Sequence, residues 1–325
     1  MRIVDGHAHV GSMRFIPEQF VEGVARNLFA AQAGASGRLH PTLAQIRSLL
    51  LSQHQDHNAD QLVAAMDEAG VAMTVLLLPD FSHALACPAS LDSMAEEHSR
   101  IRARHPGRFY VFQGIDPRGG KAALDLFQHT ITDYDFNGLK LYPPCGYSPS
   151  DERLYPFYEF CRERSLPVLL HTGPTSPVLD FTWSHPSRVD QAARDFPEVP
   201  FILAHGVVHH REDALDLCAY RPNVYLDISA FPGILHPLGW RPVLHDLFRV
   251  GINHKIIFGT DWPLFSMTSG TKTCVDQLLG EGGPLQGVGA RDIELIMSGN
   301  IERLIPKAAQ SRAAPEPVAR LTAIA

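Results

Sequence analysis

The sequence predicts an α/β fold, a (β/α)8 TIM barrel with an insertion after strand 1. Eight short runs of β-branched and apolar residues recur along the chain, and most are continuous rather than alternating, as in parallel strands buried on both faces. Segments of helical character separate these runs, which indicates βαβ units. Eight such units in 325 residues fit a closed barrel better than an open sheet. The runs span residues 2–4, 73–78, 109–115, 138–142, 167–170, 200–204, 224–228 and 255–258.

The segments between these runs have the ends that helices require. Residues 60–69 are amphipathic and precede Gly70, which suits a helix C-terminus. Residues 91–105 lead into a Pro–Gly pair that closes the helix before the next strand. Three further helical segments fill the later gaps, at residues 152–165, 186–196 and 211–219.

Two stretches depart from a minimal barrel. Residues 12–58 are far longer than an ordinary βα connection, and we expect a lid-like insertion there. Residues 307–325 are rich in alanine and proline, and we expect them to form a C-terminal tail outside the core. Because the sequence contains no internal repeat and no interdomain linker, residues 1–306 are predicted to form a single barrel domain.

The composition excludes several classes of function. The net charge is −7 and no block of basic residues is present, which argues against a nucleic-acid partner. No apolar run reaches the roughly 18 residues that a membrane span needs, so no membrane partner is expected. The amino terminus lacks the features of a signal peptide, and the five cysteines are scattered without a CxxC pair. We therefore expect a cytoplasmic protein that acts on a small-molecule substrate.

Polar side chains occur at the carboxyl ends of the predicted strands. In a barrel these ends meet at one mouth, so the side chains are expected to converge. The two histidines of the first strand are one residue apart and therefore face the same side. The residues are His7 and His9 at strand one, Lys140 at strand four, His171 at strand five, His205 at strand six and Asp261 at strand eight.

Three or four imidazoles and a carboxylate around one point form the ligand set of a divalent transition metal such as zinc. Such a site lowers the pKa of a bound water from about 16 to about 7. Asp261 is a candidate for ligating the metal and for accepting the proton of that water. His205 is a candidate for hydrogen-bonding the water or for donating a proton to a leaving atom. Lys140 leaves two alternatives open, a partner for a substrate carboxylate or, when carbamylated, a bridge to a second metal.

Three further residues are candidates for contacting a substrate. His185 and Arg188 lie at a proline-started helix from which they could reach the mouth, and arginine suits a substrate carboxylate. Trp262 follows Asp261 and could either form a wall of the pocket or pack in the core. Each residue also has a structural alternative, since an isolated strand-end histidine often only hydrogen-bonds the backbone and Asp261 could cap a turn. The sequence contains no GxSxG, no GxxxxGK[ST] and no strand-to-helix GxGxxG motif.

With these residues in place, the chain resembles the amidohydrolase superfamily, specifically its amidohydrolase-related branch. That branch contains aminocarboxymuconate-semialdehyde decarboxylase, γ-resorcylate decarboxylase and related hydrolases of ring-cleavage products. The resemblance spans nearly the whole chain and is specific in the order and spacing of its blocks. These blocks are DGHAHVG, GLKLYPP, LPVLLHTG, FPEVPFILAHG, KIIFGTDWP and MSGNIERLI.

The resemblance implies one divalent metal, usually Zn²⁺, and a role for each strand-end residue. His7, His9, His171 and Asp261 match the metal ligands of the family. His205 matches the histidine that orients or deprotonates the metal-bound water. Lys140 occupies the location at which dinuclear members carry a carbamylated lysine, although this branch is mostly mononuclear. Members of the family are often homodimers, so a homodimer is a further expectation.

Three functional hypotheses follow. The first is a zinc-dependent hydrolase of a small, carboxylated organic substrate, with Lys140, His185, Arg188 and Trp262 as the substrate-binding candidates. The second is a carbon–carbon lyase that removes CO₂ from a carboxylated ring or muconate-like substrate through the same metal, without oxidation. The third is a metal-free barrel that uses its pocket only to bind a ligand.

Overall fold

Eight parallel strands form one sheet in the order β1 to β8 in the computed structural model, which describes residues 1–31, 41–264, 266 and 269–306. The predicted TIM barrel is confirmed. Each predicted run lies in or next to a strand, and all eight strands are largely buried. The strands are β1 Val4–Ala8, β2 Met73–Leu78, β3 Phe109–Gly114, β4 Gly138–Leu141, β5 Val168–His171, β6 Phe201–Ala204, β7 Val224–Asp227 and β8 Ile256–Ile257.

Backbone hydrogen bonds join the last strand to the first. The N–H of Gly6 donates to the carbonyl of Phe258 at 2.8 Å, and the N–H of Asp261 donates to the carbonyl of His7 at 2.8 Å. The second bond connects Asp261, which lies four residues after the end of β8, to His7, a predicted ligand in β1. The barrel is therefore nearly closed, and the carboxyl ends of its strands surround one mouth.

Helices separate the strands. The predicted helix over residues 60–69 forms over these residues, with Leu62 and Met66 buried on its inner face. Gly70 ends that helix at φ +68°, a left-handed conformation that favours glycine. No helix in the described part of the chain has both the length and the apolar character to span a bilayer. The helices are α1 Glu18–Ala31, α2 Leu43–Gln53, α3 Asp60–Ala69, α4 Leu91–Arg104, α5 Gly120–Asp133, α6 Tyr155–Arg164, α7 Asp190–Asp195, α8 Arg211–Tyr220, α9 Trp240–Leu247, α10 Thr271–Leu279, α11 Ala290–Glu294 and α12 Asn300–Leu304.

Two apolar clusters hold the barrel together. The larger cluster lies between the sheet and the surrounding helices. The smaller one includes Val75, Phe112 and Ile202 from the strands together with Ile301 and Leu304 from α12. Helix α12 packs against the inner residues of the barrel and closes one of its ends. The candidate functional residues lie at the opposite end.

Residues 12–58 contain two helices, α1 and α2, that pack on each other around a small core of their own. That core consists of Val21, Ala25, Ile46 and Leu50. The segment returns to the barrel next to its point of departure, since the N–H of Asp56 donates to the carbonyl of Gly11 at 2.8 Å. Residues 32–40 of the predicted insertion and the whole predicted tail, residues 307–325, lie outside the described residues.

Candidate metal centre

Five of the predicted strand-end residues come together at the mouth. The imidazole centroids of His7 and His205 are 4.6 Å apart, and those of His171 and His205 are 4.9 Å apart. The carboxylate of Asp261 lies 3.4 Å from Nε2 of His7 and 3.5 Å from Nε2 of His9. Strands that start far apart in the sequence therefore deliver four imidazoles and one carboxylate to a single point.

His7 is held by a buried carboxylate that the sequence analysis did not select. Its Nδ1–H donates to Oδ2 of Asp227 at 2.8 Å, which leaves Nε2 without a proton. The pKa of His7 lies well below its usual value, mainly because the ring is buried and secondly because the charge of Lys140 is nearby. Nε2 is buried and has no hydrogen-bond partner. Its lone pair therefore points into the centre of the mouth.

His9 and His171 are oriented by other means. Nδ1 of His9 lies 2.9 Å from the carbonyl of Leu77, to which it donates, so its Nε2 is free to act as a ligand. The ring of His171 stacks on that of Tyr142, with centroids 4.6 Å apart. Burial and then the neighbouring His205 hold the pKa of His171 well below its usual value, and its Nε2 has no hydrogen-bond partner.

Asp261 sits in a backbone conformation that aims its carboxylate at the histidines. Its φ is +62°, in the left-handed region that aspartate tolerates better than most residues. Burial raises the pKa of this carboxyl, but the surrounding histidines, His205 first, outweigh burial and lower the pKa to about 2. Asp261 is therefore ionised throughout the physiological range.

The donor set fits a divalent cation. The Nε2 atoms of His7 and His171 are buried without a hydrogen-bond partner. Such burial costs folding free energy unless another group, such as a metal ion, binds the nitrogen. Together with Nε2 of His9 and the carboxylate of Asp261 they form a set of three nitrogens and one oxygen, which suits zinc and neighbouring transition metals. His7, His9 and Asp261 also offer ligand atoms within 4.8 Å of one another.

Asp227 and Ser229 are the residues that the sequence analysis missed. Oδ1 of Asp227 accepts from the N–H of His205 at 2.9 Å, and it also accepts from the hydroxyl of Ser229. The hydroxyl of Ser229 in turn accepts from Nδ1 of His205 at 2.9 Å. The signal was present in the sequence, since Asp227 ends the buried run VYLD in the way that Asp261 follows strand eight. In our assignment Asp227 orients two histidines and is not itself a metal ligand.

Lys140 lies in β4, buried below the mouth. Its Nζ has no hydrogen-bond partner and lies 5.8 Å from the centroid of the Tyr142 ring. Burial lowers its pKa to about 8, against the opposing charges of Asp227 and Asp261. Lys140 does not line the cavity described below. A carbamylated Lys140 that bridges a second metal stays a prediction.

The remaining substrate-binding candidates point elsewhere. Nε2 of His185 faces Asp213 at 3.6 Å, and its ring packs 4.4 Å from that of His210. The guanidinium of Arg188 is exposed and lies 5.0 Å from the centroid of the Trp183 ring. The side chain of Trp262 packs on the larger apolar cluster. None of the three candidates, His185, Arg188 and Trp262, belongs to the residues that line the cavity.

A cavity of about 470 Å³ opens above the histidines. His9, His171, His205 and Asp261 form its floor. Aromatic and aliphatic side chains form most of the rest, and several of them come from α1 in the insertion. These side chains are Ile16, Phe20, Val21, Val24, Leu28, Phe81 and Tyr142. The site thus joins a polar, metal-ligating floor to a largely apolar chamber, the usual form of a small-molecule site.

The amidohydrolase family model matches residues 4–307 of the chain. In the fungus Emericella nidulans, Protein fluG is 26% identical over 102 residues, which are 31% of this chain and 12% of that protein. The chain therefore matches only a small part of that relative.

Three solved structures share the fold. An uncharacterized TIM-barrel protein from Bordetella bronchiseptica is 22% identical, with a TM-score of 0.63 over 94% of this chain and 98% of that one. A 4-oxalomesaconate hydratase from Rhodopseudomonas palustris is 17% identical, with a TM-score of 0.55 over 93% and 95%. A dihydroxybenzoic acid decarboxylase from Polaromonas, with bound manganese and the inhibitor 2-nitroresorcinol, is 18% identical, with a TM-score of 0.57 over 93% and 96%.

The family match covers almost the entire barrel, from the first residue of β1 to three residues beyond the end of α12. The expected resemblance is therefore confirmed at the level of the family. The chain belongs to the amidohydrolase family and is an enzyme of that superfamily, built on a TIM barrel.

Proposed function

We propose that this protein is a hydrolase that depends on a single divalent cation, zinc, and cleaves a small organic molecule with an activated water. The observation that carries the proposal is the donor set on the floor of the cavity. Three neutral imidazoles and one carboxylate offset only one of the two positive charges of a divalent cation. A site that stays electron-poor in this way favours acidification of water.

His7, His9, His171 and Asp261 would hold the cation. When bound, the cation supplies a Lewis acid that polarises a substrate oxygen and lowers the pKa of a coordinated water to about 7. The chain itself supplies the proton acceptor, because the carboxylate of Asp261 is ionised and lies among the ligands.

His205 supplies the second proton-transfer group. The hydroxyl of Ser229 donates to Asp227 and accepts from Nδ1 of His205, so Nε2 of His205 is the nitrogen left for the reaction. We assign Nε2 to accepting a hydrogen bond from the attacking water and to relaying to the leaving group a proton that this water gives up. Asp227 and Ser229 hold the ring in place during both steps.

Metal analysis and isotope labelling test this function together. Protein purified without a chelator should contain close to one zinc per chain. Hydrolysis of an ester or lactone in ¹⁸O-labelled water should place one labelled oxygen in the product. Protein without metal that still turns over, or product without label, contradicts the proposal. Metal-free protein that is also inactive would instead favour a barrel that only binds its ligand.

Nonoxidative decarboxylation is the second candidate. It is supported by the likeness in fold to the Polaromonas decarboxylase, and His205 could deliver the proton that replaces the departing CO₂. In that reaction an aromatic acid releases CO₂ and takes no oxygen from the solvent. Measuring released CO₂ beside ¹⁸O incorporation separates the two reactions.

A homodimer stays a prediction, for which light scattering is the test.

A further inference from the structure

We infer that the cavity takes a ligand with one polar end, seated on the histidine floor, and an uncharged planar body that lies against an aromatic wall. This inference rests on the proposed function, because it names the class of substrate for that same site. It departs from the carboxylated substrate with additional anion-binding residues that the sequence analysis anticipated.

The absence of cations from the lining is the first reason. In the described part of the chain, no lysine or arginine lines the cavity. The Nζ of Lys140 lies 5.8 Å from the centroid of the Tyr142 ring and the guanidinium of Arg188 lies 5.0 Å from that of Trp183, and neither side chain lines the cavity. A carboxylate at the far end of a ligand would be removed from water without a partner, which is costly.

The state of the polar side chains in the lining is the second reason. The Tyr142 and Thr175 hydroxyls are hydrogen-bonded to each other at 2.6 Å. The hydroxyl of Ser176 donates to the carbonyl of Phe20 at 2.9 Å, and Nδ1 of His54 donates to the carbonyl of Leu50 at 2.7 Å. These groups already have partners in the protein. Asn27 and His209 are further polar side chains in the lining, but most of the wall surface is apolar.

The arrangement of the aromatic rings is the third reason. The centroids of Phe20 and Phe81 are 5.3 Å apart, and those of Phe81 and Tyr142 are 4.9 Å apart. Tyr142 then stacks on His171 at an interplanar angle of 29°. The three side chains form a continuous wall from helix α1 down to the metal-ligating floor. Phe20 and Phe81 are tilted by 45° and Phe81 and Tyr142 by 65°, so the wall offers ring faces and ring edges, both of which can contact a planar ring anchored at its polar end.

Two ligands of similar shape test the inference on the protein as purified. Both 4-methylbenzoate and terephthalate carry a carboxylate that can bind at the floor, and they differ only at the opposite end. We expect 4-methylbenzoate to bind at least about tenfold more tightly by isothermal titration calorimetry, because only terephthalate would bury an unpaired charge.

A variant pair on α1 sharpens the test. In Val24→Lys a cation enters the lining, and we expect the preference for 4-methylbenzoate to fall by about tenfold or more. Val24→Met, of similar length but neutral, should keep the preference. Phe20→Ala should weaken the binding of 4-methylbenzoate by about tenfold, whereas Phe29→Ala should leave it within about twofold. Phe29 lies on the same helix, is 47% exposed and does not line the cavity.

Several results would overturn the inference. They are terephthalate binding as tightly as 4-methylbenzoate, no measurable binding of 4-methylbenzoate, and an unchanged preference in a folded Val24→Lys protein. If that variant does not fold, the pair Phe20→Ala and Phe29→Ala decides. The assay reads binding alone, so a failure to find hydrolysis would contradict the proposed function and leave this result in force.

Discussion

At the mouth of the barrel a buried polar partner orients the candidate catalytic side chains His7 and His205, whereas in the insertion the apolar side chains Phe20 and Val24 face the cavity from a helix. His7 is bonded to Asp227, and His205 is bonded to Ser229. By contrast, Phe20 and Val24 project from a helix pair whose own core is four buried residues. From this contrast we expect the chemistry and the choice of substrate to reside in separately stabilised parts of the molecule. Changes in the insertion can alter the ligand without disturbing the metal ligands.

The largest expected effect is the loss of the charged ligand at the mouth. Asp261→Asn keeps the shape of the side chain but removes the proton acceptor and one negative charge. We expect turnover to fall by about 10³-fold, equivalent to about 4 kcal/mol, while the fold is kept. Turnover, metal content and circular dichroism measure this. The control is Asp276→Asn on the exposed face of α10. Full activity in the Asp261→Asn protein would refute the mechanism.

Truncating one leucine in each region compares their stabilities directly. Leu203→Ala, in the fully buried strand β6, should lower the global free energy of unfolding by about 4 kcal/mol. Leu50→Ala, in the small core of the insertion, should mainly increase local opening, by about 2 kcal/mol. Hydrogen exchange of α1, α2 and the strands separates the two outcomes. If Leu50→Ala weakens protection of the strands as much as Leu203→Ala does, the two regions are one cooperative unit.

The contact between the two regions should be sensitive to acid. His98 of α4 is buried against Phe15 of residues 12–58, with ring centroids 4.5 Å apart. Burial lowers its pKa from 6.5 to about 4. The folded state therefore binds fewer protons than the unfolded state between these values. The stability contributed by neutral His98 is present above pH 6.5 and is lost as the pH falls toward 4, by about 3 kcal/mol.

Urea unfolding at several pH values measures this loss. The difference in unfolding free energy between pH 6.5 and pH 4 should be smaller by about 3 kcal/mol in His98→Leu than in the wild type. His129→Leu is the matched control, because that histidine is exposed on α5. Parallel pH profiles for the wild type and the His98→Leu protein would rule out His98 as the source.

The smallest effect is expected at Asp227, which orients a ligand but does not hold the metal in our assignment. Asp227→Asn should weaken metal affinity by about 10- to 100-fold, about 1.4 to 2.7 kcal/mol, and excess metal should restore most of the turnover. A competition assay with a chelating dye measures the affinity. Loss of activity that excess zinc does not reverse would place Asp227 in the reaction itself.

Much of the site could be predicted from the sequence because strand polarity carries the information. A buried run that ends in His7, His171 or Asp261 places that residue at the mouth once the barrel is recognised. The directions of the side chains predicted to contact a substrate could not be derived in the same way. Arg188 lies in a connection after β5, and the direction of a loop side chain depends on its neighbours, here Trp183.

The sequence alone was sufficient to predict the order of strands and helices, the barrel and the five strand-end residues at its mouth. These follow from local periodicity and from which residue ends each strand. The fold was needed to find that Asp227 orients His7, that α1 supplies a wall of the cavity and that no lysine or arginine among the described residues lines it. The physical reason is distance along the chain. His7 and Asp227 are 220 positions apart, and no local pattern reports a contact of that kind.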